Sequence, residues 1–63
     1  MKSMHQKVRY LLETIPETRN DYNLLISAYW LLFDGIEKIE DIPKASSAES
    51  IMRTRRMILK KEV

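Results

Sequence analysis

Apolar residues along this chain recur at steps of three and four, and no stretch alternates cleanly with period two. That spacing predicts helices and no strands. Met4, Val8, Leu11, Leu12 and Ile15 form the first stripe, with Lys7, Arg9 and Glu13 on the other side. A helix from about Lys2 to Thr14 follows, stopped by Pro16, which biases Ile15 away from the α region. A second helix is predicted to start at Asn20 or Asp21, either of which can cap free N–H groups. It should end at Gly35, a natural left-handed terminator. Between them lie Tyr22, Leu24, Leu25, Ile26, Ala28, Tyr29, Trp30, Leu31, Leu32 and Phe33, which are apolar nearly all round. Such a helix is either the centre of the core or covered in part by another molecule. On the second reading Tyr22, Trp30 and Phe33 are the exposed interface residues.

Ile36, Ile39 and Ile42 predict a short third helix, ended by Pro43. The last helix should start at Ser46 or Ser47 and run to about Lys61. Ser46 with Glu49 has the spacing of a capping box, and Ser47 with Ser50 is the rival frame. On a helical wheel Ala48, Ile51, Met52, Ile58 and Leu59 gather on one side. Ser50, Arg53, Arg56, Met57, Lys60 and Lys61 spread over the other. Arg55 falls inside the apolar stripe. A guanidinium there must snorkel out or meet a partner, and Asp21, Asp34 and Glu37 are the candidate carboxylates. Arg55 is therefore expected to be a structural anchor rather than a ligand contact. The fold class predicted is all-α, one domain over residues 1–63, a small three- to four-helix bundle of helix-turn-helix-like order.

Size and composition narrow the chemistry. A chain of 63 residues without cysteine has no disulfide staple, and domains this small bury only roughly 60% of their unfolded surface. A second copy is one way to complete such a core, so a homodimer is expected as an option. The net charge of +2 conceals an asymmetry. Residues 1–45 carry six Lys/Arg against seven Asp/Glu, and residues 46–63 carry five against two. The positive charge is concentrated on the last helix, which suits an anionic partner. A solvated helix with lysines at the negative end of its dipole is the plainer account. His5 is the single histidine, there is one glycine for any phosphate loop, and Ser46 and Ser47 read as caps. No catalytic residue, metal ligand or cofactor is expected, nor enzymatic activity. Glu37, Glu40 and Asp41 read as solvated acids. No apolar run approaches the roughly 18 residues of a membrane span, and Met1–Gln6 lacks the apolar core of a signal peptide. A soluble, cytoplasmic protein is expected.

The stretch IEDIPKASSAESIMR has the order of a helix-turn-helix: short apolar helix, turn, serine-capped helix. Ser47 to Arg53 resembles the S-x-x-[ST]-[IV]-x-R run of many bacterial and phage recognition helices. Pro43 and Lys44 stand where a glycine is common in that turn, and Glu49 places a negative charge on the presumed DNA side. Three further stretches, PETRND, YWLLFDGI and SSAESIMRTRRMI, occur in that order. Together they resemble small proteins encoded by phages and prophages of Gram-positive bacteria. Those share a TRN-D motif, an aromatic-rich helix ending in glycine, and a terminal S-x-E-[ST]-I-x-R-x-R-R helix. The resemblance implies a phage origin, an infected bacterial cytoplasm and a small helical fold, with nucleic-acid binding by analogy. Ser47 would then hold a phosphate at the helix mouth, and Ser50 and Arg53 would face bases or backbone. Arg56, Lys60 and Lys61 would supply charge along the duplex. The alternative is an inhibitor of a host defence protein, such as an anti-CRISPR protein on a Cas nuclease, acting through Tyr22, Trp30 and Phe33.

Overall fold

Ser3 opens the first helix: its hydroxyl accepts the Gln6 N–H at 3.2 Å, and α1 runs Met4–Thr14. The computed structural model describes residues 3–62, so the predicted start at Lys2 lies outside the described residues. As Pro16 requires, the helix stops just before it, with Ile15 at φ −122°. The chain then forms an element the periodicity does not announce, a short 3₁₀ helix over Pro16–Arg19. Proline at its first position costs nothing, because that N–H would lack a partner in any case.

Thr18 and Arg19 tie this connector to the end of α1. The Thr18 hydroxyl, fully buried, donates to Ile15 O at 2.7 Å and is within 3.2 Å of Leu11 O. Arg19 Nε donates to Leu12 O at 3.1 Å. The last carbonyls of a helix have no partner within it. Arg19 supplies one to Leu12 O, and Thr18 adds a second donor to Leu11 O and Ile15 O, which also accept the Ile15 and Thr18 N–H groups. Two residues on, the Asp21 carboxylate accepts the Leu24 N–H at 3.1 Å and starts α2, Tyr22–Leu32. The TRND motif is thus the hinge of a helical hairpin.

α2 ends at Leu32, earlier than Gly35. The ladder widens there: Asp34 N–H reaches back to Tyr29 O at 3.4 Å and Ile36 N–H to Trp30 O at 3.0 Å. Gly35, at φ +66°, provides the left-handed step that makes this return possible. Phe33 still closes a helical bond, its N–H donating to Tyr29 O at 2.9 Å, and Asp34 is the residue that departs. The Phe33 ring lies on Tyr29 and Tyr10, with centroids at 5.4 and 6.2 Å. The Asp34 carboxylate reaches Ser46.

The predicted third helix is present in altered form. It is a 3₁₀ helix over Ile39–Lys44 that starts late and contains Pro43. An isoleucine at every third position is the repeat of a 3₁₀ helix, where residues three apart eclipse, and not of an α-helix. Ile39 is 83% exposed and Ile42 is exposed as well. The helix-turn-helix-like order of elements is therefore there, but the short helix does not bury its isoleucines. The last helix, α3, spans Ala48–Glu62. The described residues contain three α-helices, two 3₁₀ helices and no strand, an all-α bundle.

Each α-helix gives one stripe to a common core. α1 contributes Val8, Leu11 and Leu12, α2 contributes Leu25 and Tyr29, and α3 contributes Ile51 and Ile58. Burying a large apolar side chain is worth about 1.5–3 kcal/mol. α1 is central, packing on α3 and on α2 more closely than those two pack on each other. Lys7 closes one side of this core, its ammonium 5.7 Å from the Phe33 ring centre and 5.9 Å from that of Tyr29.

Candidate nucleic-acid interface

The start of α3 is fixed by a three-residue latch. The Asp34 carboxylate accepts both the Ser46 N–H, at 2.8 Å, and the Ser46 hydroxyl, at 3.2 Å. Trp30 Nε1 donates to the Ser46 carbonyl at 2.9 Å. With its hydroxyl turned to Asp34, Ser46 is not the cap. That role falls to Ser47, whose Oγ is 3.4 Å from the Ser50 N–H. Of the two predicted frames, Ser47 with Ser50 is the one adopted, and no capping box forms through Glu49. Glu49 instead pairs with Arg53, one turn on, at 3.6 Å.

The middle of α3 is fixed by Arg55. Arg55 is half-buried. It meets none of Asp21, Asp34 or Glu37. Its Nε donates to Thr18 O at 3.3 Å, and its Nη2 donates to Arg19 O. Those carbonyls end the first 3₁₀ helix and have no partner within it, and a cation belongs there for the same reason that lysines suit a helix C-terminus. Arg55 is an anchor, as predicted, but on backbone oxygens and not on a carboxylate.

With one side anchored, α3 turns its other side outward. Arg53, Arg56, Met57, Lys60 and Lys61 are exposed, and Ser47 is exposed at the helix mouth. Ser50 is half-buried, and its carbonyl accepts the Thr54 hydroxyl at 2.8 Å. Arg53, Arg56 and Lys60, spaced by three and four residues, line a single strip about 10 Å long at 1.5 Å per residue. Among the described residues Arg56, Lys60 and Lys61 have no hydrogen-bond or ion-pair partner. The Arg53–Glu49 pair has side chains 67% and 83% exposed. Exposed pairs of this spacing are worth about 0.3–0.5 kcal/mol, so Arg53 can exchange Glu49 for another anion at little cost. The site is open: no cavity is present, and no metal-ligand cluster occurs among the described residues.

The aromatic trio is split. Tyr22 is 47% exposed, whereas Trp30 and Phe33 are half-buried against the core and do not form an open aromatic surface with it. Sequence reasoning missed Thr18 and Arg19, the residues that cap α1 and build the acceptor for Arg55. The signal was the TRND string itself, whose Thr and Arg sit directly behind a proline-terminated helix. It also missed the Trp30–Ser46–Asp34 latch. Among the described residues no helix is long and apolar enough to cross a membrane. The chain matches no known protein family, and neither a characterised protein nor a solved structure resembles it.

Proposed function

We propose that this chain is a non-enzymatic binding module that docks on the backbone of duplex nucleic acid through the outward side of α3, in a phage-type setting. The observation that carries this is the state of the cations. Arg56, Lys60 and Lys61 are exposed and unpaired among the described residues, on a helix held from behind by Arg55 and at its start by Ser46. Among the described residues their charge is not consumed by ion pairs. Arginine and lysine contact phosphates and release counterions, giving sequence-independent affinity that falls steeply with salt. Ser47, at the helix mouth, adds N–H groups suited to a phosphate. Ser50, half-buried, is a weaker base contact than Arg53.

The competing reading, inhibition of a host protein such as a Cas nuclease, receives less support. It relied on an aromatic surface of Tyr22, Trp30 and Phe33, of which Tyr22 alone is well exposed.

Fluorescence anisotropy with a labelled duplex of about 20 base pairs tests the proposal. Non-specific affinities of such modules lie at roughly 10⁻⁴–10⁻⁶ M. Binding should weaken linearly on a log–log salt plot. Arg56→Ala and Lys60→Ala should each reduce the slope by about one without changing the melting curve. No complex at low salt overturns the proposal.

A further inference from the structure

We infer that Glu49 and Arg53 form a readout pair for a G·C base pair in the major groove of duplex DNA. The inference rests on the nucleic-acid reading of α3 and adds base recognition to its phosphate contacts. Glu49 is the side chain that phosphate docking leaves unexplained, since a carboxylate repels a polyanion. At about 100° per residue, Glu49 and Arg53 lie roughly 140–180° around the helix from the buried Ile51 and Ile58. They therefore stand on the line of α3 farthest from the core. Their side chains are 83% and 67% exposed, and Arg53 Nη2 lies 3.6 Å from Glu49 Oε1. Among the described residues neither has another hydrogen-bond or ion-pair partner. The helix dipole favours an acid anywhere in the first turn and so does not account for its place on this line.

The chemistry of the pair selects its ligand. Arg53 offers a fork of donors, and the Glu49 carboxylate, one turn before it, offers acceptors alone. Residues at this spacing have Cβ atoms about 5–6 Å apart, so donors and acceptors are presented side by side. Across the major groove a G·C pair shows two adjacent acceptors, guanine N7 and O6, and then the cytosine N4 amino donor. An A·T pair sets its amino donor between two acceptors and ends in a methyl group. Two donors followed by an acceptor therefore match G·C and not A·T. On the wrong pair the Glu49 carboxylate faces an acceptor or a methyl group, which is specificity by repulsion. The minor groove displays no such pattern, and the major groove of duplex RNA is too narrow for side chains to read, so the ligand is DNA. Arg56, Lys60 and Lys61, farther along the helix, remain available to phosphates.

Competition anisotropy at low salt reads this with three DNA duplexes of about 20 base pairs, made of G·C, A·T or inosine·cytosine pairs. Inosine·cytosine keeps the major-groove edge of G·C and lacks its minor-groove amino group. The wild type should bind the G·C and inosine·cytosine duplexes alike, each about tenfold more tightly than A·T. Glu49→Ala should bind the A·T duplex more tightly than the wild type does. Its preference for G·C should fall to about threefold or less, with a nearly unchanged melting curve. Salt-dependent binding that is equal on G·C and A·T overturns the inference and leaves phosphate docking standing. So does inosine·cytosine that competes like A·T, or a Glu49→Ala variant that strengthens both complexes equally. No complex with any duplex at low salt removes both readings.

Discussion

Thr18 and Arg55 show how single side chains hold this bundle together by serving backbone oxygens. Thr18→Val keeps the shape and removes a buried hydrogen bond to carbonyls that each still accept a backbone N–H, at a cost of about 1 kcal/mol. For a domain this small that lowers the thermal midpoint by roughly 4–8 °C. Thr18→Ser should recover most of it, and a Val variant that melts like the wild type would show that the hydroxyl contributes nothing. Arg55→Ala should also lower the midpoint, and Arg55→Lys should rescue little, because an ammonium cannot reproduce the planar fork that serves two carbonyls at once. Arg56→Ala, one residue on, should leave melting unchanged and weaken duplex binding. Circular-dichroism melts paired with anisotropy separate the two arginines. The wheel was enough to place Arg55 in the apolar stripe and the other cations outside it. It could not name the partner of Arg55. Carboxylates are visible in a sequence, whereas a particular pair of carbonyls becomes an acceptor only once the 3₁₀ turn has left them without donors.

Among the elements, those with long, strongly periodic patterns were legible and the connectors were not. α1 and α3 follow from stripes at three- and four-residue steps and from Pro16 and Ser47 at their ends, whereas the cap at Ser3 was not read. α2 was readable as a helix, but its all-round apolar character hid which side faces the core. Only packing decides that Leu25 and Tyr29 go inside while Leu24 and Leu31 stay out. The short helix expected from Ile36, Ile39 and Ile42 is present, but its 3₁₀ form, its late start and its run through Pro43 were not legible, because two turns of spacing three fit a frayed α-helix nearly as well. Gly35 gives a clean test of the turn between them. A Cβ added there meets nothing within 4 Å, so the penalty of Gly35→Ala is purely that of the left-handed backbone. It should destabilise the fold by about 1 kcal/mol, with Gly35→Asn costing less, as measured by urea unfolding.

At the scale of the whole molecule, the accessible surface is 4651 Å². A folded monomer of this mass is expected to expose roughly 4,250 Å². Leu31, Leu32 and Ile39 are among the large apolar side chains left in solvent. The charge distribution was plain from composition, and the structure adds that among the described residues Arg56, Lys60 and Lys61 carry no ion-pair partner, which no count of lysines and arginines could establish. Ligand linkage offers a further check. If duplex binds only the folded chain, duplex at about 100 times its dissociation constant should stabilise the fold by roughly 2.7 kcal/mol. The resulting rise in melting temperature should vanish in 0.5 M salt, about where phosphate contacts are lost. The seat of Arg55 also orders assembly in time. Its two acceptors exist only after the Pro16–Arg19 turn has formed, so the Arg55 contacts follow the N-terminal hairpin even though α3 also packs on α1. Contacts made that late should be absent from the transition state: Arg55→Ala should accelerate unfolding in a stopped-flow chevron while leaving the refolding rate nearly untouched.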